Sequence, residues 1–200
     1  MPAQGHIRDN NYGPTVGDRR HVLTANFVYA IPFMRDQRGV IGHVAGGWEV
    51  SGIQTFQTGL PATVASNQVY DPTGIDCLGP SPCSLRANQV GDPSASAPNT
   101  YSSWFNPAAF SNPTPGQSTI PSERPGGVRL PGFWRTDLGV FKNLKFTERL
   151  SSQFRAEAFN VFNHNNPICC ASFTTSSSAY DKITTARDPR TMQLAIKLQF

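Results

Sequence analysis

The last eleven residues of the chain, 190–200, alternate between apolar and polar side chains and end on an aromatic residue. A period of two residues is typical of a β-strand with one apolar and one polar face. A transmembrane barrel strand needs this pattern over about ten residues, because lipid lies on one side and a wet lumen on the other. The alternative is an edge strand of a soluble sandwich. The apolar face of the predicted strand consists of Met192, Leu194, Ile196, Leu198 and Phe200.

Similar alternation, bounded by Gly and Pro, predicts four further strands near residues 21–33, 48–65, 133–146 and 150–163. A polar, glycine-containing turn is expected at 34–47 and a tight turn at 147–149. Two stretches, 66–130 and 164–189, are rich in Pro, Gly, Ser and Asn and are expected to be long loops. The predicted fold class is therefore all-β, an antiparallel sheet of roughly five transmembrane strands from a larger barrel, with long extracellular loops.

The lengths of the connections support the barrel interpretation. If the carboxyl terminus lies on the periplasmic side, antiparallel strands place both short turns on that side and both long loops outside. Outer-membrane barrels show this asymmetry. A random all-β chain would place two long loops on one side about half of the time, so the asymmetry supports the assignment without proving it.

Charged residues are expected to line the lumen of the barrel. Arg135 and Asp137 lie two positions apart on one predicted strand, and Arg155 and Glu157 do so on the next. Charges of both signs on one face are expected to pair across strands. The alternatives are the solvent face of a soluble sheet and, much less favoured, a catalytic carboxylate pair formed by Asp137 and Glu157. We therefore expect no enzyme activity.

The composition narrows the class of protein further. Charged residues make up only 15% of the chain, which also contains 17 Gly and 17 Pro. This composition favours strands and ordered loops over helices. The chain has no apolar run of about 18 residues that would form a membrane-spanning helix. Its net charge of +4 is scattered, so the basic cluster expected for nucleic-acid binding is missing.

Cysteine, histidine and aromatic residues offer few candidate sites. Cys77 and Cys83 bracket a short turn-rich segment, where a disulfide is expected in an oxidising compartment. The spacing of the cysteines and histidines matches no metal site, and no cofactor is expected. An aromatic cluster, Trp104, Phe105 and Phe110, is expected to anchor the long loop or, as the less favoured alternative, to stack on a sugar.

The two other tryptophans, Trp48 and Trp134, lie near the ends of predicted strands. Tryptophan is enriched in the aromatic girdles at the two interfaces of outer-membrane barrels. A girdle is therefore the expected role of both residues, and ordinary core packing is the alternative.

Several segments resemble the carboxyl-terminal end of the Oar-like TonB-dependent receptors. They are GDRRH (17–21), GWEVSG (47–52), WFNPAAF (104–110), DLGVFKN (137–143), FRAEAFNVFNH (154–164) and ARDPR (186–190), followed by the terminal strand. The resemblance extends from about residue 17 to the end. The terminal Phe200 also resembles the signal that is read by the outer-membrane barrel-assembly machinery.

The resemblance implies a plugged barrel of about 22 strands in the outer membrane of a Gram-negative cell, which takes up large ligands. The implied partners are outer-membrane lipid, the barrel-assembly machinery, an upstream plug with the amino-terminal strands and, through that plug, an inner-membrane energy-coupling complex. The chain shows no plug, no energy-coupling box and no signal peptide. We therefore expect it to be the tail of a longer protein or a gene fragment.

Two other functions are open at this point. One is an exported soluble β-sandwich that binds carbohydrate through Trp104, and the other is an outer-membrane structural or adhesion barrel without transport.

Overall fold

The computed structural model describes residues 11–68, 83–114, 122–147 and 149–200. Two compact units are present: a sheet unit (His21–Gln57, Phe133–Asn166 and Asp188–Phe200) and a loop unit (Met1–Arg20, Thr58–Gly132 and Pro167–Arg187). The regular elements, in chain order, are β1 (Val22–Ala30), α1 (Gly39–Ala45), β2 (Trp48–Gln57), β3 (Pro61–Ala62), β4 (Ala65–Gln68), β5 (Cys83–Arg86), β6 (Asn88–Gln89), a short 3-10 helix (Pro107–Ala109), β7 (Phe110–Ser111), β8 (Val128–Arg129), β9 (Phe133–Lys145), β10 (Ser151–Phe159), β11 (Pro167–Ile168), β12 (Thr185–Ala186) and β13 (Thr191–Gln199).

The sheet unit contains one antiparallel sheet in the order β1-β2-β9-β10-β13. Its strands are the five that alternation predicts, and the all-β antiparallel fold class is confirmed. In the register, Gln57 pairs with both Val22 and Phe133, and Phe159 pairs with Thr191. The two long excursions, 58–132 and 160–190, therefore leave the sheet from the same end. The connections 31–47 and 146–150 lie at the opposite end.

Two predicted strands extend too far. β2 ends at Gln57, and residues 61–62 and 65–68 pair with β8 and β5 instead. The chain leaves the sheet at Gly59, whose backbone packs so closely against the carbonyl of Leu130 that a Cβ atom would clash. β10 ends at Phe159, because Asn160 and Asn163 adopt positive φ angles of 53° and 51°. Asparagine tolerates this left-handed conformation, which ends a strand.

The connection between β1 and β2 is more ordered than a polar turn. It contains α1, which the sequence pattern does not predict, because seven residues are too few for a clear helical period. Among the described residues, no helix is both long enough and apolar enough to cross a membrane.

The loop unit has its own small hydrophobic core, although its segments were expected to be loops with little regular structure. In the described part of this unit, four two-stranded ladders, β3–β8, β4–β5, β6–β7 and β11–β12, connect its segments. The core side chains come from segments that are far apart in the sequence, so local patterning does not predict them. They are Val64, Ala87, Phe105, Ala109, Phe110 and Val128.

Candidate functional site

The sheet has one predominantly apolar face, which follows from its register. Val50, Val140, Ala156 and Leu194 lie side by side on consecutive strands. Cross-strand neighbours share a face, and every second residue along each strand does the same. This face carries the terminal-strand residues Met192, Leu194, Ile196 and Leu198, all of which are exposed. The full apolar set is Leu23, Ala25, Phe27, Tyr29, Trp48, Val50, Phe56, Trp134, Leu138, Val140, Leu144, Phe154, Ala156, Ala158, Met192, Leu194, Ile196 and Leu198.

The apolar face also contains polar side chains, and three of these, Gln54, Thr136 and Lys142, have hydrogen-bond partners. The hydroxyl group of Thr136 donates a hydrogen bond to the amide oxygen of Gln54 on the neighbouring strand. Lys142 donates to the backbone carbonyl groups of Val44 and Gly46. Hydrogen-bonded polar groups are far less costly in an apolar environment than unpaired ones.

Trp48 and Trp134 lie on the apolar face near its two ends. Trp48 pairs with Lys142 and Trp134 pairs with Phe56, so the two indoles are separated by eight residues along β2 or β9. At about 3.3 Å per residue this is roughly 26 Å along the strand. The apolar band of an outer-membrane barrel is about 25 Å tall and is bordered by aromatic girdles. The spacing therefore matches the predicted girdle.

The opposite face is polar, and it carries the four charged residues predicted for a lumen. Arg135 Nε lies 2.6 Å from Asp137 Oδ1, and Arg155 Nη2 lies 3.5 Å from Glu157 Oε1. These ion pairs run along each strand, so the expected pairing across strands is wrong. The reason lies in the register: the cross-strand partners are uncharged, for example Phe141 opposite Arg155 and Gln193 opposite Glu157.

Aromatic rings and polar groups complete the polar network. The guanidinium groups of Arg135 and Arg155 lie over the rings of Phe159 and Phe141, at 5.6 and 5.1 Å from the ring centroids. Asp137 also accepts a 2.8 Å hydrogen bond from the backbone N–H of Asn160, and Glu157 accepts one of 2.5 Å from Gln193. Both carboxylates are thus engaged by partners. This arrangement favours a paired wall of charges over a catalytic carboxylate pair.

In the loop unit, the aromatic cluster is divided between core and cleft. Phe105 and Phe110 are buried and meet edge to face at 5.8 Å, and Phe105 also packs on Tyr180 at 5.4 Å. The carboxylate of Asp181 accepts hydrogen bonds from the backbone N–H groups of Trp104 and Phe105, at 2.7 and 2.8 Å. These contacts favour the anchoring interpretation for Phe105 and Phe110.

Trp104 lines a cleft of about 270 Å³ in the loop unit. Its indole N–H donates a 2.9 Å hydrogen bond to the carbonyl oxygen of Arg129, which fixes the plane of the ring. The Arg129 guanidinium is paired with Asp18 at 2.6 Å, so the charge of Arg129 is compensated. The cleft is therefore suited to a small uncharged ligand. Its other lining residues include Pro93, Ser94, Asn99, Val128 and Leu130.

The loop unit also contains a buried carboxyl group that no pattern in the sequence indicated. Glu123 is fully buried, and its Oε1 accepts a 2.7 Å hydrogen bond from the backbone N–H of Val64. Burial raises the pKa of the Glu123 carboxyl to about 8. Within the described part of the chain, Glu123 Oε2, Ser66 Oγ and the hydroxyl of Tyr180 have no hydrogen-bond partner. Burial, with the nearby carboxylates, also raises the pKa of Tyr180.

The remaining candidate residues do not form a metal centre among the described residues. No group of three or more His, Cys, Asp or Glu side chains there is arranged to hold a metal ion. The predicted Cys77–Cys83 disulfide lies outside the described residues, since Cys77 falls within 69–82. Cys169 and Cys170 are adjacent in the sequence, and Cys170 packs against the core of the loop unit.

The sheet therefore has one apolar face bordered by tryptophan and one polar face of paired charges, with both long excursions at one end. These features are typical of the strands of an outer-membrane β-barrel. In agreement, residues 2–193 match the family model described as "Outer membrane beta barrel domain", and the chain belongs to this family. Membership places the protein in the outer membrane. No curated protein and no solved structure was found to match the chain.

Proposed function

We propose that the chain forms the carboxyl-terminal strands of a TonB-dependent receptor in the outer membrane of a Gram-negative cell, which binds and takes up a large ligand. The observation that carries this proposal is the two-faced sheet with both long excursions at one end, together with the family match. The resemblance of six ordered segments to the Oar-like receptors supports the transport class. An outer-membrane structural or adhesion barrel without transport is the competing function.

The sheet itself indicates why further strands are expected. Its outer strands, β1 and β13, are each exposed over all nine residues. Barrels of this kind use at least eight strands, and an open sheet edge in lipid would leave backbone groups unpaired at a cost of several kcal/mol each. In the proposed receptor, upstream strands pair with these edges, and an upstream plug connects to the inner-membrane energy-coupling complex. The exposed face of β13 and Phe200 would be read by the barrel-assembly machinery.

The loop unit is proposed to contact the ligand, through the cleft beside Trp104. The compensated charge of Arg129 and the fixed indole plane suit a neutral ring, such as a sugar unit. The polar face of the sheet is proposed to be a lumen wall and not a catalytic site, because its carboxylates are already paired.

The transport class is tested by capture of the whole native receptor from detergent-solubilised outer membranes, with the purified periplasmic domain of the energy-coupling protein as bait. Retention of the receptor supports transport. The structural or adhesion barrel is supported if the receptor is not retained although its heat-modifiable migration shows that it is folded.

The cleft is tested separately by intrinsic fluorescence titration with maltoheptaose and cellohexaose as neutral probes. Trp104→Phe keeps an aromatic wall but loses the indole hydrogen bond, whereas Trp104→Ala removes the wall. Binding that weakens at least about tenfold in the alanine variant supports the cleft, and Trp134→Phe on the sheet is the matched control. Unchanged affinity in both Trp104 variants, or no binding of either sugar, would exclude these sugars as ligands of the cleft.

A further inference from the structure

The connection between β1 and β2 presents an exposed apolar helix face that the proposed transport function does not use. Val40, Ile41 and Val44 on α1 are 81%, 71% and 67% exposed. Their spacing (i, i+1, i+4) places them on one side of the helix. An exposed apolar helix face of this kind, in a connection that also exposes Phe33 and Met34, points to a neighbour that is itself apolar.

The helix is held firmly to the end of the sheet. Gln37 is buried, and its side-chain amide donates a 2.7 Å hydrogen bond to the carbonyl oxygen of Asn143 and accepts one of 3.1 Å from the N–H of Lys145. The backbone N–H of Asn143 donates to the carbonyl oxygen of Gly47 at 2.8 Å. The connection is thus tied to β9 at several points, and the orientation of α1 is set by the sheet.

The carboxyl end of α1 meets the apolar face of the sheet and not the polar one. Trp48 Nε1 donates to the carbonyl oxygen of Val44 at 3.0 Å, and Lys142 Nζ donates to the same oxygen at 3.0 Å. Trp48 and Lys142 are cross-strand partners on the apolar face, and the ammonium lies 5.1 Å from the indole centroid. The buried charge of Lys142 is thereby directed toward the end of the sheet, as in a side chain that snorkels out of lipid.

We propose that α1 lies in the lipid–water interface of the membrane leaflet at this end of the sheet, with Val40, Ile41 and Val44 in the acyl-chain boundary. The occupant of the apolar helix face is phospholipid, because α1 joins the face that the barrel family exposes to lipid. Trp48 and Lys142 are the residue types that anchor at this depth. The helix would fix the depth of β1 and β2 in the membrane.

The proposal is tested by spin labelling of the full native protein, with all of its cysteines replaced by serine, the four of this chain included, and with the protein reconstituted in phosphatidylethanolamine–phosphatidylglycerol vesicles. Labels are placed singly by Ile41→Cys, by Val140→Cys on the apolar face of the sheet and by Asp36→Cys on the exposed part of the same connection. Collision rates with oxygen, which concentrates in lipid, and with the water-soluble nickel complex NiEDDA are compared. Folding is checked by heat-modifiable migration, and Val40→Cys is the second position if Ile41→Cys fails to fold.

The interfacial helix is supported if the oxygen-to-nickel accessibility ratio at position 41 is at least about threefold higher than the ratio at position 36. The ratio at position 41 should also approach the ratio at position 140. A ratio equal to that at position 36 places the helix in water and overturns the proposal. Low accessibility to both reagents at position 41 also overturns it, because a protein surface would then cover the helix. If that protection disappears on dilution of the protein in the vesicles, the cover is a second copy of the chain.

Discussion

The two units of this chain place their apolar residues in opposite ways. In the sheet unit, Leu194 and Ile196 are 70% and 69% exposed, and the polar ion pairs occupy the other face. In the loop unit, Val64 and Phe105 are buried in a small core. The difference is one of solvent. A strand in lipid gains by turning its apolar side chains outward, whereas a water-exposed loop unit must bury them. The placement of the apolar side chains thus indicates which solvent each unit faces.

The largest expected effect on stability comes from the buried carboxyl group of Glu123 in the loop unit. Because the pKa of Glu123 is raised from 4.5 to about 8, the folded state retains a proton that the unfolded state loses. The stability of the loop unit should therefore be highest below about pH 4.5, fall by up to about 1.4 kcal/mol per pH unit between pH 4.5 and 8, and level off above pH 8. Glu123→Gln should remove most of this slope.

Hydrogen exchange in the peptides that contain Val64 and Phe105, corrected for the intrinsic pH dependence of exchange, measures this effect. Asp92→Asn in the same unit is the matched control, since Asp92 is exposed and its side-chain oxygen still accepts from the Ser94 N–H as an amide. A Glu123→Gln protein with an unchanged slope would show that another group carries the linkage. The exchange of β13 should not follow this pH dependence.

The second prediction tests whether the apolar face of the sheet points outward into lipid. Ile196→Arg places a charge near the middle of β13 on the apolar face, and it should destabilise the membrane-inserted protein by about 2–4 kcal/mol. Gln193→Arg, on the polar face beside Glu157, is the matched control and should change stability by less than about 1 kcal/mol. Urea unfolding in lipid vesicles, followed by heat-modifiable migration, distinguishes the two. Equal losses in both variants would mean that β13 has no lipid-facing side.

The smallest expected effect concerns the ion pairs on the polar face. Asp137→Asn removes the ion pair with Arg135 but keeps an oxygen that accepts from the N–H of Asn160. Because the side chains of this pair are partly exposed, we expect a loss below about 1 kcal/mol that shrinks further in high salt. The urea midpoint at two salt concentrations measures it. A loss above about 3 kcal/mol would indicate a dry site in which the charge of Arg135 had become unpaired.

Prediction from the sequence succeeded where the structural signal is local. The alternation at 190–200 and at 133–146 corresponds to β13 and β9, and the spacing of Arg135 with Asp137 placed both charges on one face. It failed at 58–65 and at 34–47. There, the outcome depends on close backbone packing at Gly59 and on hydrogen bonds from Gln37 to a strand more than a hundred residues away.

The amino-acid sequence by itself determined the strands, their two faces and the end of the sheet from which each excursion leaves, because each depends on a period of two residues and on the order of the strands. Only the tertiary structure decided which residues of the Pro- and Gly-rich segments are core, why the pKa of Glu123 is raised, and that Trp104 lines a cleft while Phe110 does not. These features arise from contacts between segments distant in the sequence, such as Glu123 with Val64 and Trp104 with Asp181. Such contacts have no local period that a sequence pattern could reveal.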